Sequence, residues 1–453
     1  MEITAECMAL WREAIGNECE ALIAALAAPS PVSIRLHPQK QVDVPEYAAC
    51  VPWCSTGRYL SDRPSFTLDP YFHAGAYYVQ EASSMFPAQL KMFFKEQCIE
   101  RVLDLCAAPG GKSTLLAETL PPEGILVTNE VIQSRVTILA QNMAKWGYPN
   151  VVVTQNDARD FVRLPHYFDA LLVDAPCSGE GMFRKEPKAI QEWSLEAVEL
   201  CAQRQRRIVA DVWEALRPGG YLIYSPCTFN RKENEEVVDW ICSHLGATPC
   251  PVPVCSEWGV WVQNGCYRFL PHRLKGEGFC MTLLQKKSAE RVGKRKLMGG
   301  NKKISPLPKQ QSPALWVQDS CSFFAKGEII KALPAPQAQE MIELENRLRV
   351  IQSGVAVARI KGRDLIPDAD LALSSVICPD AFAVVEVDLP TAQRYLARES
   401  FTLANAPLGY LLIQYKGSRL GFAKNVGTRI NNLYPLNRRI LKQLNVYSQF
   451  FAQ

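Results

Sequence analysis

The chain of 453 residues contains no apolar run long enough to cross a bilayer. Its opening stretch, "MEITAECMALWREAIGNECE", is acidic and amphipathic. It lacks the basic start, apolar run and small-residue cleavage site of a secretory leader. A reducing cytoplasm with free thiols is therefore expected for the sixteen cysteines. Paired metal-ligand spacing is missing too. Cys50 and Cys54, and Cys250 and Cys255, have no matching Cys or His pair at finger distance, so no metal is expected. No internal repeat is present. Acids are scarce in two places. From Phe401 to Gln453 there are seven Lys/Arg and no Asp or Glu, and from Lys286 to Lys309 nine Lys/Arg face one acid, Glu290. The net charge is only +4, yet this distribution suits a polyanionic partner, with a solvated basic surface as the plain alternative.

A hydrophobic content of 48% supports packed cores, and the length suits about two to four domains. The first part, to about Leu90, has an amphipathic helix and a short strand, "PVSIRLH". Strand-like and helical patterns then alternate. "RVLDLC", "GILVTNE", "VVVTQND", "FDALLVDAP" and "YLIYSPC" read as strands. "KSTLLAETL", "SRVTILAQNMAKWG" and "EAVELCAQRQRRIVADVWEALRPGG" read as helices, the last ending at Pro218 and its paired glycines. The alternation predicts an α/β fold with a parallel sheet and helices on both faces. "CYRFLPH" and "FCMTLLQK" would finish the sheet as an antiparallel pair. The expected division is an N-terminal α+β domain over 1–95, a catalytic domain over 96–287, a basic linker over 288–315 and a β-rich C-terminal region over 316–453.

"CAAPGGKST" joins the first strand of the alternation to a helix. The Gly-Lys-Ser ending resembles a phosphate loop, but that motif needs a glycine where Cys106 stands. A nucleoside cofactor across the carboxyl ends of the strands is the better reading. Gly110 and Gly111 let the backbone approach it. Glu130, Asp157 and Asp174 end three successive strands. Glu130 is placed for ribose hydroxyls and Asp157 for an adenine amine. Each alone would pass for a helix cap or a solvated acid. Together they favour a cofactor with a cationic centre, such as the sulfonium of S-adenosyl-L-methionine, over a pyrophosphate. That points to methyl transfer.

Cys177 in "DAPCSGEG" and Cys227 in "SPCTFN" each follow a proline where an apolar strand ends. Most free cysteines only pack, but these two stand on the rim where the ligand is expected. A thiolate there can add to carbon 6 of a pyrimidine and make carbon 5 nucleophilic. Asp174 is placed to hydrogen-bond ring nitrogen 3 during the addition.

At these residues the chain resembles the RsmB/Nop family of S-adenosylmethionine-dependent RNA cytosine-C5 methyltransferases, nearest to its bacterial RsmF-type ribosomal RNA members. The resemblance is carried by "GAYYVQEASSM", "DLCAAPGGKS", Asn129–Glu130, "DAPCSGEGMFRK", "SPCTFN" and "FLPHRLKGEGF". A looser match, "GYLLIQYKGSRLGFAKN" with "NLYPLNRRI", is similar to the family's PUA-like end. The resemblance implies a Rossmann-like class I methyltransferase core and action on 16S ribosomal RNA in the small subunit; a monomer is the default expectation. It makes Cys227 the nucleophile and Cys177 the residue that assists product release, with Pro226 where many members carry threonine. It places Cys106, Ala107, Ala108, Pro109, Gly110, Gly111, Lys112, Glu130, Asp157 and Asp174 around the cofactor, with Arg135 as a further candidate. Arg35 would touch RNA, beside His37 where the family has asparagine. His272 reads as structural. The alternatives are a tRNA cytosine-C5 methyltransferase, a non-catalytic ribosome assembly factor, which would have no need of both cysteines and Asp174, and a nucleoside triphosphatase, which adenosylhomocysteine would not stabilise.

Overall fold

The computed structural model describes residues 3–43, 48–288, 313–318 and 320–442, together with Leu307. The chain opens with helices Ala5–Ile15, capped by Thr4, and Cys19–Leu26. Their apolar faces, with Trp11 and Leu22, pack on Phe183, Trp193 and Phe229 of the central domain. A small antiparallel sheet follows, with β1 (Val32–Leu36), β2 (Cys50–Val51), β3 (Cys54–Leu60) and β4 (Tyr77–Val79) in the order β2-β3-β1-β4.

β1 carries a correction. Arg35 is fully buried and is no RNA contact. Its guanidinium pairs with Glu118, donates to Gln80 Oε1 at 2.8 Å and to the Gly111 carbonyl at 3.3 Å, and stacks 4.7 Å over Trp146. Arginine's planar fork serves such multi-partner sites better than an ammonium would. Here it clamps the N-terminal sheet to the helix after the glycine loop. His37 is also internal, with Nε2 3.1 Å from the Trp146 carbonyl. Burial, then the charge of Lys40, pushes its pKa down to about 2, so it stays neutral.

The central sheet contains β5 (Arg101–Asp104), β6 (Ile125–Asn129), β7 (Val151–Thr154), β8 (Phe168–Val173), β9 (Leu216–Tyr224), β10 (Ala247–Cys250), β11 (Trp261–Gln263), β12 (Cys266–Phe269) and β13 (Phe279–Lys286). Its order is β11-β12-β13-β9-β8-β5-β6-β7, with β10 also pairing β13. β5 to β9 are parallel, and β12 and β13 close the sheet antiparallel, as the alternation predicts. β5 to β8 are almost wholly buried, which matches their unbroken apolar runs. One boundary differs. The helix Leu195–Val212 ends before Pro218, and Pro218 and its glycines lie inside β9. The register shifts between Phe168 and Ala170 opposite them, and Gly219 takes φ +72. A bulge is where a strand tolerates proline and glycine.

The C-terminal region is more entangled with the core than a linked module. β14 (Cys321–Lys326), β15 (Ile329–Pro334), β17 (Val355–Lys361) and β18 (Asp364–Pro367) form one sheet, but β16 (Val350–Ser353) adds antiparallel to β7. The helix Ala338–Arg347 buries Met341 and Leu344 in the same cluster as Leu103 and Ile125. Its Glu340 takes both arms of Arg101, at 2.6 and 2.5 Å. A last sheet, β19 (Ala383–Glu386), β20 (Gly409–Tyr415), β21 (Ser418–Asn425) and β22 (Ile430–Asn432), with the helix Leu389–Ala397, packs Tyr395, Leu411 and Tyr434 against Ile34, Tyr71 and Tyr77. The basic tail is partly spent inside. Arg438 pairs with Asp370 at 2.7 Å in a mostly buried site, whereas Lys416 pairs with Asp43 at 3.1 Å on the surface, and Arg429 and Arg439 stay exposed. Most of the basic stretch between Lys286 and Lys309 lies outside the described residues.

Replacing Arg35 by Met should strand the Glu118 carboxylate and cost about 3–5 kcal/mol. The expected observation is an earlier urea transition for the N-terminal part, with Arg35→Lys intermediate. An unchanged transition would show that the clamp does not hold the two domains together.

Candidate active site

The glycine loop leaves β5 at Asp104. Ala107 donates its N–H to the Asn129 carbonyl at 2.8 Å, which lays the loop along the end of β6. Gly110 begins the helix Gly111–Thr119 at φ +114, a conformation side chains rarely adopt. Cys106 is half-buried, Ala107 and Ala108 are buried, and Pro109 is exposed. The Asn142 amide donates to the Pro109 carbonyl at 2.8 Å, and Arg135 Nη2 donates to the Ala108 carbonyl at 2.8 Å. Arg135 also pairs with Glu130 at 3.3 Å, so it braces both loop and carboxylate. Glu130 is buried at the end of β6 and accepts the Ile132 N–H at 3.0 Å. Asp157 stands after β7 and accepts the Arg159 N–H at 3.2 Å as cap of the short helix Ala158–Arg163.

Asp104 was not legible as a site residue, although an acid inside "RVLDLC" is the signal that marks it. It is fully buried, accepts the Ser113 hydroxyl at 2.6 Å through Oδ2, and leaves Oδ1 without a hydrogen-bond partner. Burial above all, with the Ser113 bond opposing and the charge of Asp174 adding, pushes its carboxyl up to about 7. An orphaned carboxylate oxygen beneath a glycine loop, with Glu130 and Asp174 nearby, fits a cationic nucleoside cofactor and would repel a pyrophosphate.

Lys112 turns from the loop toward the cysteine motifs. Its ammonium lies 2.8 Å from Asp174 Oδ2 and 5.1 Å over the Phe279 ring. Burial pulls its pKa down, but Asp174, through charge and hydrogen bond, and the charge of Cys227 outweigh it, and the net direction is up. The lysine therefore stays charged. Asp174, at the end of β8, also accepts the Ser225 hydroxyl at 3.2 Å.

Cys177 and Cys227 lie 50 residues apart in sequence and come together because β8 and β9 are parallel neighbours. Their sulfurs are 2.9 Å apart, as free thiols. The hydrogen bond to Cys227 first, then burial, pushes the Cys177 pKa well above the usual thiol value, with the charge of Glu233 adding. Cys177 thus holds its proton at neutral pH.

Two buried carboxylates that the sequence reading missed fix these loops. Glu180 accepts from Trp11 Nε1 (3.0 Å), Trp193 Nε1 (3.1 Å), the Phe229 and Asn230 N–H groups (2.8 and 3.1 Å) and the Asn230 amide (2.7 Å). Glu233 accepts from Ser178 N–H (2.9 Å), the Ser178 hydroxyl, Gln205 (2.9 Å) and Asn230 (2.9 Å). Burial, then the charge of Glu180, pushes the Glu233 carboxyl up to about 7. Glu180 lies inside "CSGEG", so its place in the motif was visible but its burial was not. His272 sits 2.7 Å from Glu18, the structural role expected of it.

A doubly wound sheet with this loop, these strand-end acids and an antiparallel finish defines a Rossmann-like methyltransferase. The family model described as "16S rRNA methyltransferase RsmB/F" matches residues 91–285. Those for the "N-terminal domain of 16S rRNA methyltransferase RsmF" and the "Methyltransferase RsmF PUA domain" match residues 5–82 and 382–440. The "Ribosomal RNA small subunit methyltransferase F" of Enterobacter sp. (strain 638) is 31% identical over 463 residues, covering 95% of this chain and 94% of that protein. The protein of the same name from Serratia proteamaculans (strain 568) is 32% identical, covering 85% and 83%. A solved "Methyltransferase Homolog Protein from Pyrococcus Horikoshii" is 25% identical with a TM-score of 0.50, covering 61% of this chain and 93% of that one. The chain belongs to the RsmB/F family of 16S rRNA methyltransferases. It is an enzyme that acts on ribosomal RNA and uses S-adenosyl-L-methionine. Among the described residues no helix is long and apolar enough to cross a membrane.

A cation bound against Asp104 favours its ionised form, whereas the free protein is about half protonated there near pH 7. Affinity for S-adenosylmethionine should therefore fall as pH drops below about 7, by up to about tenfold per unit. Calorimetry in buffers of different ionisation enthalpy should show proton release on binding. Asp104→Asn should weaken binding and flatten the profile; an unaltered slope in that variant would remove Asp104 from the explanation.

Proposed function

We propose that the enzyme methylates carbon 5 of a cytosine in 16S ribosomal RNA through a covalent bond between Cys227 and carbon 6 of the base. The observation that carries this reading is the pair of thiols 2.9 Å apart beside the Lys112–Asp174 ion pair. S-adenosylmethionine supplies the methyl group, made electrophilic by its sulfonium. Cys106 to Lys112, Glu130, Asp157 and Asp174 are the residues that hold it, with Arg135 bracing the loop.

The chain's own groups then have distinct tasks. The nucleophile is the sulfur of Cys227, which attacks as a thiolate. That thiolate adds to carbon 6, and the ring electrons shift so that carbon 5 becomes enamine-like. As sulfur adds, nitrogen 3 takes up a proton from water; its N–H donates to Asp174, which stabilises the charge that the addition creates, and the proton returns to water when the ring is restored. After methylation a base removes the proton from carbon 5. The electron pair of that C–H bond restores the ring double bond, and the bond from sulfur to carbon 6 breaks. Cys177, still protonated, donates its S–H to the departing Cys227 sulfur. The target base must be unpaired or flipped, because a thiolate cannot reach carbon 6 inside a stacked helix. The enzyme works as a cytoplasmic monomer on RNA within the small subunit. The N-terminal domain (1–95) and C-terminal region (316–453) grip the RNA around the catalytic domain (96–287), and 288–315 is a basic linker.

With methyl-labelled cofactor and small ribosomal subunits, label should appear on carbon 5 of cytosine and on no other base. Cys177→Ala should accumulate a denaturation-stable protein–RNA adduct with turnover reduced to a single burst. Cys227→Ala should give neither label nor adduct. An adduct surviving in the double variant, or label on adenine, would falsify the assignment.

A further inference from the structure

Near the glycine loop, through Asn142, lies a cavity of about 200 Å³. Pockets for drug-sized ligands run to about 300–1,000 Å³, so this one has room for a single flat ring system. Its walls include Phe72, Tyr77, Tyr78, Asn142, Lys145 and Trp146. The N-terminal domain and the helix Gln133–Trp146 both contribute, and the PUA sheet abuts the same corner through Tyr434, whose hydroxyl is 3.0 Å from His73 Nδ1.

Three features separate this cavity from a packing gap. Trp146 is 2% exposed, yet its indole N–H has no hydrogen-bond partner. An unpaired buried donor is costly unless something supplies an acceptor. Lys145 holds its ammonium 4.4 Å over the Phe72 ring, and no carboxylate pairs with it among the described residues. Cations also gather around it. Lys40 donates to the carbonyls of Ala74 and Lys145, Arg419 donates to the Ser374 carbonyl, and among the described residues only Arg438 of this group has a carboxylate, Asp370. Burial, then the charge of Arg438, pulls the Lys145 pKa down to about 8, as expected for a cation that lacks a counter-ion.

We propose that this cavity binds an unpaired nucleotide of the ribosomal RNA, distinct from the target cytosine, with its base among the aromatic walls and its phosphate on Lys145. Aromatic rings accept any base by stacking, while the Trp146 N–H meets a ring acceptor. The cavity floor reports to the cofactor loop, because Asn142 donates both to the Pro109 carbonyl and, at 3.4 Å, to the Tyr78 hydroxyl. The inference rests on ribosomal RNA as substrate and is independent of the cysteine chemistry.

The test measures binding of a 16S rRNA fragment to the full-length protein at several salt concentrations. Lys145→Met keeps the aliphatic stem and removes the charge. It should weaken binding about threefold to tenfold and shrink the slope of log affinity against log salt by about one unit. Trp146→Phe should weaken binding severalfold with the slope unchanged. Thermal stabilisation by adenosylhomocysteine should match wild type in Lys145→Met. Wild-type RNA affinity and slope in Lys145→Met overturn the proposal, whether or not Trp146→Phe folds. So does loss of the adenosylhomocysteine shift in that variant, since the residue would then be acting on the cofactor loop. A final arm adds uridine or adenosine monophosphate alone. Stabilisation that Lys145→Met abolishes, with RNA affinity untouched, would mean the site serves free nucleotides and would overturn the RNA assignment.

Discussion

The buried carboxylate of Glu180 is the constraint on which the active site depends. A charge removed from water must be met by hydrogen-bond donors from all sides, and Glu180 is met by five. Those donors come from the first helix, from the segment after the Cys177 motif and from the loop after Cys227. Satisfying one charge therefore fixes three parts of the chain relative to one another. Glu233 repeats the device a step nearer the thiols, and the Asn230 amide bridges the two carboxylates. The Gly181 N–H completes the frame by donating to the Cys227 carbonyl at 2.9 Å. Gly181 must be glycine, since a Cβ there would lie 2.4 Å from the Gly278 carbonyl oxygen. The closeness of the two sulfurs is thus a consequence of the polar frame behind them.

Lys112 joins this frame to the cofactor side. A lysine in a Gly-Lys-Ser sequence suggests phosphate, but here the nearest charge is a carboxylate, Asp174. The ion pair spans from the glycine loop to the end of β8, so a ligand on one side changes the field on the other. Asp104 and Glu233, both pushed toward neutral pH by burial, bracket the pair. Carboxyls with raised pKa values are common where a site must accept or release charge during a reaction.

The accessory domains are built into the same body. β16 extends the central sheet beyond β7, and Asn156 and Arg349 exchange backbone and amide hydrogen bonds at that edge. The PUA sheet rests on the N-terminal domain through a shared apolar cluster. Gly147, at φ +86, ends the helix Gln133–Trp146, and a Cβ there would lie 2.4 Å from the Leu373 carbonyl. Close backbone packing of this kind leaves little freedom between the accessory domains and the central domain. It also corrects the expectation of a separate C-terminal module after residue 316, because β16 and the helix Ala338–Arg347 pack onto the central sheet.

Local features were the legible ones. The alternation of strands and helices, the Gly110–Gly111 loop, the strand-end acids and the two Pro-Cys motifs are each written in a few adjacent residues, because periodicity and turn chemistry act over short range. The family resemblance added roles to Cys177 and Cys227 that spacing alone left open. What the sequence could not show was which polar groups are buried, since burial depends on what arrives from elsewhere in the chain. Arg35 looked like a surface contact and is an internal clamp. Glu180 and Glu233 were not singled out in sequence and hold the site together. The sequence by itself determined the kind of sheet and the chemistry available at its rim. The tertiary structure alone decided which charges lose their water, and with it which residues position the thiols.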